Sequence, residues 1–163
     1  MAEAASPLAR ELEQRAPFRN RSHEAPVGLV RTAMLLELVG TRLLAPAGIT
    51  VAQYNVLRIL RGAEPTGLPT LAVRKRLITA APAITRLVDR LEEAGLARRV
   101  AVPDDRRQKL CRITPQGLAL LERLDPVIVA LDDLAAEVLS DEELARLTEY
   151  LDRIREHVRR AHC

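Results

Sequence analysis

Between Leu68 and Thr114, proline and glycine leave room only for short elements and fix their order. Pro69 suits a first helical position, where its missing N–H would have no partner anyway. Leu71, Ala72 and Leu77 then point inward on a short helix, and Ile78–Ala81 forms a turn. Pro82 opens the next helix and pushes Ala81 into extended backbone. Ile84, Leu87, Val88 and Leu91 recur at i, i+3, i+4 and i+7, so the helix from Pro82 to Ala94 buries one face. Pro82, Thr85, Arg86 and Asp89 lie opposite, with Arg90 on the flank, and Gly95 supplies the left-handed residue that ends the helix. Leu96–Val102 and Lys109–Ile113 read as an antiparallel hairpin joined by the polar turn Pro103–Arg107. Short helices followed by a ribbon with a basic turn make a winged helix-turn-helix. One helix of that arrangement fits the major groove of duplex DNA, and the ribbon reaches a neighbouring minor groove.

The flanking segments read as helices that this module cannot cover. Val27–Leu44 is apolar over too wide a stripe for a helix half exposed on a single subunit, and Ala45-Pro46-Ala47-Gly48 ends it. Thr50 and Gln53 form a capping box for a helix with Val51, Tyr54, Val56, Leu57 and Leu60 inward. Thr114 and Pro115 are N-cap and N1 of a helix through Leu118, Leu121, Leu124, Ile128 and Leu131, which Pro126 is expected to kink. Ser140 to Glu143 is a second capping box, opening a helix striped by Leu144, Leu147, Leu151, Ile154 and Val158. The expected organisation is a flexible arm over 1–24, with a short helix over Leu8–Arg15. A helix over 25–48, the DNA-binding module over 49–114 and C-terminal helices over 115–163 follow. The class is mainly α with a small β-hairpin wing.

Charge separates the module from its scaffold. Residues 68–112 hold eleven Lys/Arg against five Asp/Glu, a net of +6, whereas residues 113–163 hold six Arg against eleven Asp/Glu, a net of −5. A basic middle beside an acidic third fits a polyanion-facing module on a separate support. Aromatic residues are limited to Phe18, Tyr54 and Tyr150, which disfavours single-strand binding by base stacking and favours a duplex. Cys111 and Cys163 follow no metal or disulfide spacing, and His23, His157 and His162 are too scattered for a metal sensor. No metal or cofactor is therefore expected. Glycine-rich phosphate loops and Ser/His/Asp sets are absent from the sequence, so an enzyme is not expected either. No run of roughly 18 apolar residues occurs, so neither a membrane span nor membrane association is expected, and the default location is the cytoplasm.

Two stretches resemble the MarR family of bacterial transcriptional regulators. Ile84–Arg99 (ITRLVDRLEEAGLARR) is similar to the family's recognition helix and its exit into the wing. Asp104–Gly117 (DDRRQKLCRITPQG) is similar to its wing signature, an Asp-x-Arg followed by a strand and a Leu-Thr-x-x-Gly helix start. Asp105 and Arg107 fill the Asp-x-Arg positions, Ile113 replaces the usual Leu, and Thr114 and Gly117 match. The resemblance covers roughly Val30 to Arg155. It implies a homodimer joined by its N- and C-terminal helices, which would cover the over-apolar Val27–Leu44 stripe. It also implies a regulator, most often a repressor, that binds an inverted-repeat operator and is released by a small ligand.

Arg86, opposite the core stripe, is the leading candidate for a base or phosphate contact, with Thr85 beside it and Arg90 on the flank. Thr79 and Ala81, ahead of Pro82, can offer a hydroxyl and an N–H to phosphate, and Arg74 and Lys75, with Arg76, suit backbone anchoring. Arg107 is assigned to the wing tip in the minor groove and Arg106 to phosphate, while Asp105 orients a nearby Arg such as Arg90 or Arg107. The family's effectors are commonly aromatic or phenolic, and Met34, Leu38, Arg42, Tyr54 and Arg58 are the candidates to line their cleft. Two alternatives stand beside this reading. One is a constitutive or architectural duplex binder without a sensor. The other is a cysteine-based redox regulator, although no cysteine lies near the first conserved helix and Cys111 is expected to pack inward.

Overall fold

The computed structural model describes residues 5–79, 83–102 and 105–162, by backbone alone at 105–108 and 162. Its first element, α1 (Pro7–Glu11), is capped by Ser6, whose hydroxyl accepts from the Ala9 N–H at 3.2 Å. This helix docks on α2 (Arg21–Leu44). Ala9 is buried, Leu8 stands 3.4 Å from where a Cβ on Gly28 would lie, and Glu11 pairs with Arg31 at 2.7 Å.

The long helix begins earlier than the expected boundary at residue 25. Asn20 caps it, accepting from the His23 N–H at 2.9 Å. Pro26 is tolerated because it forfeits only one bond, to a carbonyl in the exposed first turn. A 3₁₀ turn (Ala45–Ala47) ends α2, and α3 (Val51–Arg61) starts with the expected capping box. The Gln53 N–H donates to the Thr50 hydroxyl at 3.2 Å, and the Thr50 N–H donates to Gln53 Oε1 at 2.9 Å.

The sheet has three strands where two were expected. Strand β1 (Leu68–Pro69) pairs antiparallel with β3 (Asp105–Ile113), which pairs antiparallel with β2 (Ala97–Val102), in the order β1-β3-β2. Pro69 is therefore an edge-strand residue and the N-cap of α4 (Thr70–Arg76), not its first helical residue. An edge suits it, because a proline has no N–H to give a further strand. Starting α4 at Thr70 puts Val73 and Leu77 on the inner face, four residues apart, and leaves Leu71 62% exposed instead of inward. Recognition of the helix at the centre of the motif holds better. In α5 (Ile84–Glu93), Ile84, Val88 and Leu91 are buried and Leu87 is half-buried.

Gly95, at φ 70°, turns the chain from α5 into β2. Thr114 caps α6 (Pro115–Ala136), its hydroxyl accepting from the Gly117 N–H at 3.0 Å and donating to the Gly95 carbonyl at 2.6 Å. Gly117 is required there, since a Cβ would lie 2.2 Å from the Leu96 carbonyl oxygen. Helix α6 continues through Pro126 as one element, and α7 (Asp141–His162) follows its own Ser140/Glu143 capping box.

The core sits where α3, α4, α5 and the sheet meet the start of α6. Val56, Leu57 and Leu60 of α3, Val73, Val88, Leu91, Cys111 and Leu121 meet there, closed by Leu120, Leu124 and Ile128 of α6. Removing each such side chain from water contributes about 1.5–3 kcal/mol. Of the 24 residues of α2, only Gly40 and Leu44 are buried. Among the described residues no single helix is long and apolar enough to cross a membrane.

Candidate nucleic-acid interface

Helix α5 is amphipathic, and its buried stripe orients everything else on it. With Ile84, Val88 and Leu91 inward, Thr85, Arg86 and Arg90 are exposed, with Asp89 half-exposed among them. The expected start at Pro82, together with Ala81, lies outside the described residues. Thr79 is exposed at the end of the preceding turn. That turn is fixed to α3, because the Ile78 N–H donates to Asn55 Oδ1 at 3.2 Å. Arg74, Lys75 and Arg76 fill the last turn of α4 and are all exposed; cations there also complement the negative end of the helix dipole. The basic residues singled out on α4 and α5 are thus brought to elements that pack directly on one another.

The wing is longer than the hairpin expected from the sequence. Strand β3 reaches back to Asp105, so the backbone of Arg106 and Arg107 belongs to a strand rather than to the connecting turn. Pairing jumps from Ala101↔Lys109 to Val102↔Asp105, so residues 106–108 form an irregular stretch against β2. Polar composition hides such a strand from a hydrophobic pattern. The side chains of Asp105, Arg106 and Arg107, and hence the contacts expected of them, lie outside the described residues. Lys109 and Arg98 are exposed lower on the ribbon, whereas Arg112 is committed to Glu64 at 2.6 Å. That pairing raises the pKa of Arg112 and holds the Glu64 carboxyl below its ordinary range, in both cases chiefly through the hydrogen bond between them.

Sequence reasoning missed Arg99. From β2 its guanidinium reaches α5, with Nη2 2.7 Å from Asp89 Oδ1 and Nη1 2.6 Å from Glu92 Oε2. Its backbone N–H donates to Glu92 Oε1 at 2.8 Å, and Nη2 donates to the Thr85 carbonyl at 3.4 Å. The signal was available: Asp89 and Glu92 are three apart, hence neighbours on one helix face, and the hairpin begins directly after them.

The comparisons with known proteins agree with this geometry. Residues 47–108 match the model of the MarR family. The HTH-type transcriptional regulator MhqR of Bacillus subtilis is 34% identical over 109 residues, covering 66% of this chain and 72% of its own. The chain belongs to the MarR family. It is a DNA-binding transcriptional regulator with a winged-helix fold. Among solved MarR-like structures, CouR from Rhodococcus jostii RHA1 bound to p-coumaroyl-CoA shares 28% identity and a TM-score of 0.70, covering 83% of this chain and 94% of that one. The Staphylococcus aureus MepR–DNA complex superposes with a TM-score of 0.74 over 80% of this chain and 96% of that one; at 23% identity the likeness is one of fold.

The MarR-like sensor candidates are less convergent. Met34, Leu38 and Arg42 are exposed along α2. Tyr54 is 7% exposed inside the core, with the Arg58 guanidinium 5.9 Å from its ring centroid. Burial pushes the Tyr54 phenol above its ordinary range, and the Arg58 charge pulls partly against that. Neither described cavity includes these five residues. One, of about 340 Å³, is lined by Ile49, Ala94, Leu96, Gln116, Leu120 and Arg123. The other runs along α7 beside Tyr150, Ile154 and Val158. Cys111 is buried, as expected, with its sulfur 3.4 Å from the Thr70 hydroxyl; Cys163 lies outside the described residues.

Proposed function

We propose that this MarR-family chain is a homodimeric repressor that binds an inverted-repeat operator and leaves it when a small aromatic or phenolic effector binds. The observation that carries the DNA reading is the exposed face of α5, where Thr85, Arg86 and Arg90 stand opposite a fully packed stripe. In this reading Arg86 addresses guanine bidentately, Thr85 meets a thymine methyl or a phosphate, and Arg74, Lys75 and Thr79 anchor the backbone. Arg107 enters the minor groove, Arg106 holds phosphate, and Asp105 orients a neighbouring arginine. Ala81 offers its backbone N–H to a phosphate, and Pro82 is counted with it among the DNA-contacting residues.

Dimerisation is supported by the uncovered apolar surface of the long helices. Leu29, Val30, Met34, Leu35, Leu36 and Leu38 on α2 are exposed, as are Leu147, Ile154 and Val158 on α7. A two-fold dimer would carry two recognition helices about one DNA turn apart, hence an inverted repeat. The effector would enter between α2 and the lobe, near Met34, Leu38, Arg42, Tyr54 and Arg58, a set that combines apolar side chains with two arginines. Such a regulator works in the cytoplasm, beside the DNA, and no catalytic role is proposed for it. A constitutive duplex binder without a sensor is the second reading, favoured by the division of the five candidates between the exposed length of α2, where Met34, Leu38 and Arg42 lie, and the packed core that holds Tyr54.

Fluorescence anisotropy with a duplex selected by this protein from a random-sequence pool tests both readings. Nanomolar binding that survives competitor DNA, weakens in Arg86→Ala and Arg107→Ala, and is released by an aromatic carboxylate or phenol supports the first. Sequence-specific binding that no member of such a ligand panel changes favours the second. Binding without sequence preference defeats the operator reading.

A further inference from the structure

We propose that Arg99 is a positioning residue that locks the recognition helix to the wing, and that it sets sequence specificity without touching DNA. The proposal rests on the reading of α5 and the wing as the DNA-contacting elements. Arg99 and Cys111 are paired on adjacent strands, and paired residues share a face of the sheet; Cys111 is fully buried, so Arg99 is aimed under α5. Its side chain is accordingly only 16% exposed, whereas its neighbour Arg98 is exposed to solvent.

The contacts span α5 lengthwise. Arg99 reaches the Thr85 carbonyl in the first turn, Asp89 in the middle and Glu92 in the last turn. A planar guanidinium with fixed donor directions defines both the rotation of α5 and its distance from β2, which a lysine ammonium would not. Helix and ribbon are read into different grooves of the same duplex, so their relative orientation must match the DNA. A loose joint would leave each element able to find phosphate but not both able to find their bases together. The same contacts neutralise part of an acidic run, Asp89, Glu92 and Glu93, on the helix that faces a polyanion.

The test compares a duplex selected by the wild type with an unrelated duplex of equal length, each across a salt series, for wild type, Arg99→Met, Arg99→Lys and the double variant Asp89→Asn/Glu92→Gln. The expected result for Arg99→Met is some weakening on both duplexes from the uncovered Asp89 and Glu92 charges, a loss on the selected duplex about tenfold larger than on the unrelated one, and an unchanged salt slope. Arg99→Lys is expected not to rescue the preference. The double variant breaks the joint from the helix side and keeps Arg99. Its lost negative charge should tighten binding to both duplexes, yet the ratio between them should fall as in Arg99→Met. It also keeps the proposal testable should Arg99→Met fail to fold, which circular dichroism would reveal. A salt slope reduced by about one, with equal losses on both duplexes, would mean that Arg99 contacts phosphate, and would overturn the proposal. An unchanged ratio in both variants would overturn it as well. A wild type that shows no preference between duplexes defeats the operator reading itself, a separate outcome from any behaviour of the variants.

Discussion

Leu57 and Val30 are both branched aliphatic residues in the middle of helices, yet Leu57 is fully buried and Val30 is 60% exposed. Leu57 belongs to a lobe that closes on itself: α3, α4, α5, the sheet and the first half of α6 bury a continuous cluster. Val30 belongs to α2, which with α7 leaves a row of large aliphatic side chains in solvent. One region solves its burial within the chain, and the other does not. Contiguous exposed apolar surface on a long helix is what a partner covers, so the two regions should respond to mutation in different currencies: the lobe in intrinsic stability, the long helices in concentration dependence.

The largest expected effect breaks the second region. Met34→Glu combined with Leu38→Glu places four carboxylates in the proposed interface of a symmetric dimer. Losing the burial of four side chains, two per protomer, at about 1.5–3 kcal/mol each amounts to roughly 6 kcal/mol or more of association energy. Sedimentation velocity should show a monomer. The urea midpoint of the wild type should rise with protein concentration, while that of the variant should not. A wild type that is monomeric at micromolar concentration would erase the contrast between the regions. Leu57→Ala should do the reverse, costing about 2–5 kcal/mol in urea unfolding at any concentration without creating monomers from folded dimers. Arg86→Ala, on the outer face of the same lobe, should leave unfolding unchanged and weaken operator binding by about 1–3 kcal/mol. An Arg86→Ala protein with full affinity would move base reading elsewhere on α5.

The two regions also differ in how far the sequence discloses them. Local chemistry was legible wherever a single element decides it. The capping boxes at Thr50/Gln53 and Ser140/Glu143 form, and Thr114 caps α6 as its sequence indicates. The stripe through Ile84, Val88 and Leu91 orients Arg86 outward. What escaped depends on partners distant in the chain. Strand β1 is two residues long, too short to show any period, and exists because Leu68 and Pro69 meet Cys111 and Leu110. The choice between Leu71 and Val73 as the inward residue of α4 turned on a one-residue shift in its start, set by that strand. The wing strand through residues 105–108 is polar throughout, so no apolar alternation marks it. Arg99 read as one cation among eleven, because charge counting ignores which carboxylates the fold brings beside it.

The smallest expected effect tests that joint through protons. Glu92 is held below the ordinary carboxyl range, first by the Arg99 backbone N–H and then by the Arg99 guanidinium, against the opposing effect of its partial burial. A lowered folded-state pKa means that the unfolded chain binds the proton more tightly. The contribution to stability is therefore complete above the unfolded carboxyl pKa, and it is lost as pH falls through the lower, folded value. Because the Glu92 side chain is 39% exposed, solvent screens the pair and the contribution is modest. Comparing urea midpoints of wild type and Glu92→Gln should show a small advantage for wild type at neutral pH that shrinks as the solution is acidified past the ordinary carboxyl range. An advantage that instead grows on acidification would mean that the carboxylate is strained rather than held, and that Arg99 stabilises α5 through Asp89 and the Thr85 carbonyl alone.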